Sequence, residues 1–114
     1  MSASLRTTGM IQRADTAELD VVARFDVWTG LAQIQDLQIS VAANSSYTLS
    51  GFSSIQEVTV LVEQTLVNVI VNPGSGAITI PVSKMLALRG VNLTSLQIAN
   101  PGSSAVDVRL IVGG

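Results

Sequence analysis

The chain contains no cysteine and no histidine in its 114 residues. The first absence excludes disulfides and thiolate metal sites. The second removes the commonest general base and the commonest metal ligand. Charge is also scarce: 12% of residues are charged, about half the usual share. The net charge of −2 is too small to suggest a nucleic-acid binder. Only 4% of residues are aromatic, which leaves few rings for stacking on a ligand. No window approaches the run of about 18 uninterrupted apolar residues that a membrane helix needs. The opening stretch, MSASLRTTGMIQRADTAELD, places polar and charged residues where a signal peptide has its apolar core, so no signal peptide is expected.

What the chain does have is aliphatic alternation. Val106, Val108, Leu110 and Val112 alternate with Asp107, Arg109 and Ile111. Ile78, Ile80 and Val82 alternate with Thr79 and Pro81, and Leu37, Ile39 and Val41 with Gln38 and Ser40. Val58, Val60 and Val62 face the opposite way from Thr59, Leu61 and Glu63. A period of two is that of a strand with one face buried. Leu66–Val71 is apolar except at Asn68, which predicts a strand covered on both faces, by a second sheet or by a partner. Leu19–Trp28 also alternates and is predicted as a strand, although Asp15 and Glu18 have the spacing of a capping box for a short helical turn before it. Asp36, between Ile34 and Leu37, breaks the phase and predicts a bulge or a strand break.

Turn residues punctuate these runs at Thr29-Gly30, Ala43–Ser45, Ser50-Gly51, Arg89-Gly90 and, twice, at Asn-Pro-Gly-Ser: Asn72–Ser75 and Asn100–Ser103. Proline pre-sets the second position of a turn, glycine takes the positive φ of a type II turn, and the asparagine before proline is biased toward extended backbone. Both copies are therefore expected to be inter-strand connections. A phosphate cradle requires a helix to follow, and AITIPV and AVDVRLIV read as strands. Two glycosylation-type triplets, at Asn44 and Asn92, are expected to be turn residues. Glu57 and Glu63 lie six residues apart, roughly 20 Å along a strand, too far for a carboxylate pair. They, Asp107 and Arg109 read as solvated or interface charges. An enzyme is the least supported class, and no cofactor is expected.

Short strands at regular spacing predict an all-β fold: a two-sheet antiparallel β-sandwich, jelly-roll-like, with an N-terminal extended arm. The domains expected are an arm over residues 1–14 and a sandwich over residues 15–114. The arm lacks sustained alternation and is too polar to order by itself. Its spaced apolar residues Leu5, Met10 and Ile11, with Arg6 and Arg13, are candidate interface residues toward a partner. Trp28 is a further candidate anchor. Eight of the fourteen charges fall in residues 1–36. The remainder of the chain is built on Ser, Thr, Asn, Gln, Gly and aliphatics. Such a surface is either a hydroxyl-rich solvent face or one covered by other subunits.

Three segments, ISVAANSSYTLSGFSSIQEVTVLVEQ, LVNVIVNPGSGAITIPVSKMLALRG and VNLTSLQIANPGSSAVDVRLIVGG, together resemble small β-sandwich proteins of tailed-bacteriophage virions, the capsid decoration or cement proteins. The resemblance covers about two-thirds of the chain, from Leu37 to Gly114. It implies a non-enzymatic structural protein on the outer capsid surface of the virion, made in the host cytoplasm. Its implied partners are the major capsid protein and copies of itself as a dimer or trimer, with no nucleic acid and no membrane. A tail, fibre or baseplate component is the alternative within the virion. A glycan- or receptor-binding β-sandwich is the alternative outside that class.

Overall fold

A computed structural model describes residues 3–13, 20–63, 65–74 and 76–114, and within the first two strands the side chains of residues 4–10, 24, 26, 30 and 31. The described chain is all-β, and two of its sheets pack as a sandwich of four antiparallel strands each. By its contacts the chain forms two compact units, Met1–Ala32 and Gln33–Gly114.

The first unit is a two-stranded antiparallel ribbon, β1 (Ala3–Arg13) with β2 (Asp20–Leu31). Its register runs from Ala3 opposite Leu31 to Arg13 opposite Asp20, with one slip between Ile11 and Gln12. The alternation expected over Leu19–Trp28 thus corresponds to a strand from Asp20 onward, Leu19 lying outside the described residues. The segment expected as an uncommitted arm is also a strand. Weak alternation in 3–13 did not signal it, because β2 supplies the ladder on which it pairs. The expected boundary between residues 14 and 15, and the capping-box alternative at Asp15–Glu18, lie outside the described residues.

The second unit holds eight strands: β3 (Ile34–Val41), β4 (Ser45–Thr48), β5 (Ile55–Val62), β6 (Val67–Val71), β7 (Ile78–Val82), β8 (Met85–Leu93), β9 (Leu96–Asn100) and β10 (Val106–Gly113). The front sheet has the order β3-β10-β5-β8 and the back sheet β4-β9-β6-β7. The pairs β3–β10, β4–β9, β5–β8 and β6–β7 are all antiparallel. They are the nested rungs of one long hairpin, rolled so that successive rungs fall in alternate sheets. This is jelly-roll connectivity.

The core lies between the sheets and is aliphatic. Val58, Val60 and Val62 of β5, Val67, Val69 and Val71 of β6, and Val106, Val108, Leu110 and Val112 of β10 are all buried. β-branched side chains suit a pleated, packed surface, and each fully buried one contributes roughly 1.5–3 kcal/mol. Tyr47 and Phe52 pack at the margin of this core. Within the chain β6 is packed on one face, and Asn68 and Ile70 on its other face are half-buried, so of the covers expected the second sheet supplies one. β3 runs without a bulge through Asp36. The phase break there is absorbed because Asp36 points outward to an ion pair and Ile34, of the same parity, is only half-buried.

The two Asn-Pro-Gly-Ser copies do different work. The first connects β6 to β7 and is the tip of the rolled hairpin. Gly74 has φ +87°, the value required at the third position of a type II turn. Asn72 has φ +52° rather than the extended backbone expected before proline. Its side chain compensates: Oδ1 accepts from the Thr94 amide at 2.9 Å and the Thr94 hydroxyl at 3.0 Å. The second copy crosses between sheets, from β9 to β10. Asn100 ends a strand, fully buried, and its Nδ2 donates to the carbonyls of Val41 at 3.0 Å and Ser104 at 2.7 Å. Its Oδ1 accepts from the Gly102 amide at 2.9 Å, an Asx turn. Of the two glycosylation-type triplets, Asn44 is a turn residue with φ +54°, but Asn92 lies inside β8 and accepts from Ser54 Oγ at 3.0 Å.

Candidate functional site

The residues nominated from the sequence all lie on the β1–β2 ribbon. Leu5 is half-buried, and Arg6 and Met10 are exposed. Arg6 meets an acid within its own ribbon: Nε and Nη2 donate to the two carboxylate oxygens of Asp26, both at 3.0 Å. Register places Trp28 opposite Arg6 and Arg24 opposite Met10. A shallow depression beside them is lined by Thr8, Gly9, Met10, Arg24 and Asp26. The side chains of Ile11, Arg13 and Trp28 lie outside the described residues.

The sandwich presents two unlike outer faces. The front face carries charge. Arg109 on β10 donates to Asp36 on β3 through Nε at 3.1 Å and Nη2 at 2.7 Å. These hydrogen bonds hold the Asp36 carboxyl below its ordinary pKa and raise that of Arg109. Beside the pair lies a depression of about 560 Å³, lined among others by Gln38, Ser40, Leu61, Glu63 and Asp107. Its lining holds the Gln38 amide, the Ser40 hydroxyl, two carboxylates and the Arg109 guanidinium, and no aromatic ring.

One front-sheet charge departs from its sequence reading. Glu57 is buried, 1% exposed, rather than solvated. Its Oε1 accepts from the Gly90 amide at 3.1 Å. Its Oε2 lies 3.1 Å from Arg89 Nε, close enough for an ion pair but too poorly aligned for a hydrogen bond. Arg89 also donates to the Val58 carbonyl and to Thr59 Oγ1. The cause is a bulge. β8 slips register against β5 here, and Gly90 takes φ +68°. Bulges re-aim side chains, and this one turns an amide toward the carboxylate.

The back face carries none of these charges. Adjacent residues across its four strands form two rows, Ser46–Ala99–Asn68–Pro81 and Thr48–Gln97–Ile70–Thr79. The charges of residues 33–114 are Asp36, Glu57, Glu63, Lys84, Arg89, Asp107 and Arg109. Every one lies on a front-sheet strand or directly beside one. Sequence reading found the scarcity of charge but not its segregation. The spacing of the charges was visible; the assignment of strands to sheets was not.

Among the described residues, no three carboxylates converge as a metal site would need. No protein-family model matches the sequence, and no curated protein matches it.

Proposed function

We propose that the protein is a non-enzymatic structural component of a tailed-phage virion, a decoration or cement protein that seats its uncharged back sheet on the outer surface of the capsid. The observation that carries this reading is the segregation of charge. A sheet face of aliphatic, small, hydroxyl and amide side chains costs less to desolvate than a charged one and has no charge to strand at an interface. The charged front sheet then remains in water. Jelly-roll connectivity suits the reading by analogy of fold, since such sandwiches occur in viral shells and in lectins. A partner that binds only the assembled shell stabilises it by mass action, with no chemistry required. At roughly 3.3 Å per residue, an eleven-residue strand such as β1 extends about 36 Å, long enough to reach a neighbouring capsid subunit, with exposed Met10 as its apolar contact.

Capsids stripped of the protein, titrated with purified protein, provide the test. Ile70→Lys places a charge in the middle of the back face and is expected to weaken binding at least about tenfold, as an unpaired buried interface charge does. Asp107→Lys on the front face is expected to leave it unchanged. Equal binding by wild type and Ile70→Lys overturns the reading. Electron microscopy of the particle separates head from tail, fibre or baseplate placement. The front-face depression is the feature a glycan-binding module would use, and sugar-dependent chemical shifts confined to Gln38, Ser40 and Asp107 would favour that alternative.

A further inference from the structure

We infer that the outer edge of β3 pairs antiparallel with the same strand of a second copy, about a two-fold axis at Gln38, joining two front sheets into one. The sandwich has four edge strands, β3 and β8 in front and β4 and β7 behind. Three are guarded against pairing. β4 is four residues long. β7 carries Pro81, which has no N–H to donate. β8 is interrupted by the bulge at Gly90. β3 is eight residues long, regular, and free of proline, glycine and lysine. Among the described residues it pairs only with β10. Such an edge is a template for another strand.

The sequence of β3 selects its own copy as that strand. Antiparallel partners share a sheet face when their numbers sum to an even value. Centring the pair on Gln38 sets amide opposite amide, Asp36 opposite Ser40, and Leu37 opposite Ile39. No like charges meet. Centring it on Asp36 would oppose two carboxylates, which destabilises a ladder. Centring it on Leu37 would oppose Gln35 to Ile39 and Ile34 to Ser40, two polar-to-aliphatic pairs against the one, Gln35 to Val41, of the Gln38 register. Leu37 and Ile39 are half-buried against the core, and pairing covers the rest of each with its counterpart. Asp36 is already held by Arg109 of its own sheet. The inference does not depend on capsid binding.

The absence of native cysteine makes the test clean. Opposed residues in an antiparallel pair have Cα atoms about 4.5–5.5 Å apart, within disulfide reach. Gln38→Cys is expected to oxidise to a covalent dimer, whereas Thr79→Cys on the back sheet is not. Sedimentation should show the wild type dimeric. Gln38→Lys and Gln38→Glu, at an exposed position, should each associate about tenfold more weakly and recover dimerisation when mixed, as opposed charges do. Melting curves confirm that both variants fold. A wild-type chain that is monomeric at about 100 µM, far above the concentration a specific interface needs, overturns the inference. So does a dimer that is indifferent to both charges or that cross-links equally through Thr79→Cys.

Discussion

Asn100 and Asn72 occupy the same place in the same tetrapeptide, yet their losses should differ. Asn100→Asp turns a carboxylate toward the carbonyls of Val41 and Ser104. It should destabilise the fold more than Asn100→Ala, which itself should cost roughly 1–3 kcal/mol, because the buried Val41 carbonyl and the part-buried Ser104 carbonyl lose their donor. Urea unfolding of both variants orders them. Glu57→Ala should cost roughly 2–4 kcal/mol in the same assay, because it frees the Gly90 amide and leaves Arg89 half-buried without its carboxylate. The exposed Asp36–Arg109 pair behaves otherwise. Asp36 has a lowered pKa in the folded chain, so its contribution is present above the unfolded aspartate value and is lost as pH falls through the folded one. NMR titration should find its midpoint below that of an ordinary aspartate and return it toward the ordinary value in Arg109→Gln. None of these partners was legible in sequence. Glu57 and Glu63 share strand parity, but Glu57 lies against the slip in β8 whereas Glu63 lies past the end of β5.

Strands were the legible part, because burial on one face writes a period of two into Val58–Val62 and Val106–Val112. β1 was not, because its partner rather than its own pattern makes it a strand. The turns were legible as positions but not as conformations. Proline and glycine announced both connections, but whether a turn stays within a sheet or crosses between sheets depends on strands far away in sequence. Glycine substitutions should separate the two. Gly74→Ala forces a Cβ into a left-handed backbone and should cost about 1–2 kcal/mol. Gly102 has no such φ, so Gly102→Ala should be felt only through its 3.3 Å approach to Asn100 Oδ1. Comparing the thermal midpoints of the two variants checks the difference.

The two units differ in self-sufficiency. Among the described residues the buried cluster of the sandwich runs from Val41 to Val112, so a fragment beginning at Gln33 should fold alone, with dispersed amide resonances and strand-type circular dichroism. A peptide of residues 1–32 should not, since an isolated two-stranded ribbon is marginal in water. Loss of shell attachment by the folded fragment would assign the ribbon a binding role; full retention would assign that role to the sandwich. The back face also became legible only at this level. A run of uncharged residues means little until four strands from separate parts of the chain lie side by side.

The amide of Gln33 donates to the carbonyl of Gly114 at 2.9 Å, and the amide of Gly114 returns the bond at 3.0 Å. The sandwich is thus a ring open at one rung. In the fragment that begins at Gln33, a short linker from Gly114 to Gln33 would close it, and the chain could be reopened at the 72–76 tip without removing any strand pair of the sandwich. Such a circular permutant should keep the native sheets while reordering their assembly. The outermost rung, whose closure otherwise waits on the whole intervening chain, becomes a local hairpin. The β6–β7 rung becomes the outermost in its place, so the signature to expect is a folding nucleus moved to β3–β10, read by φ-values, at little changed rate and stability.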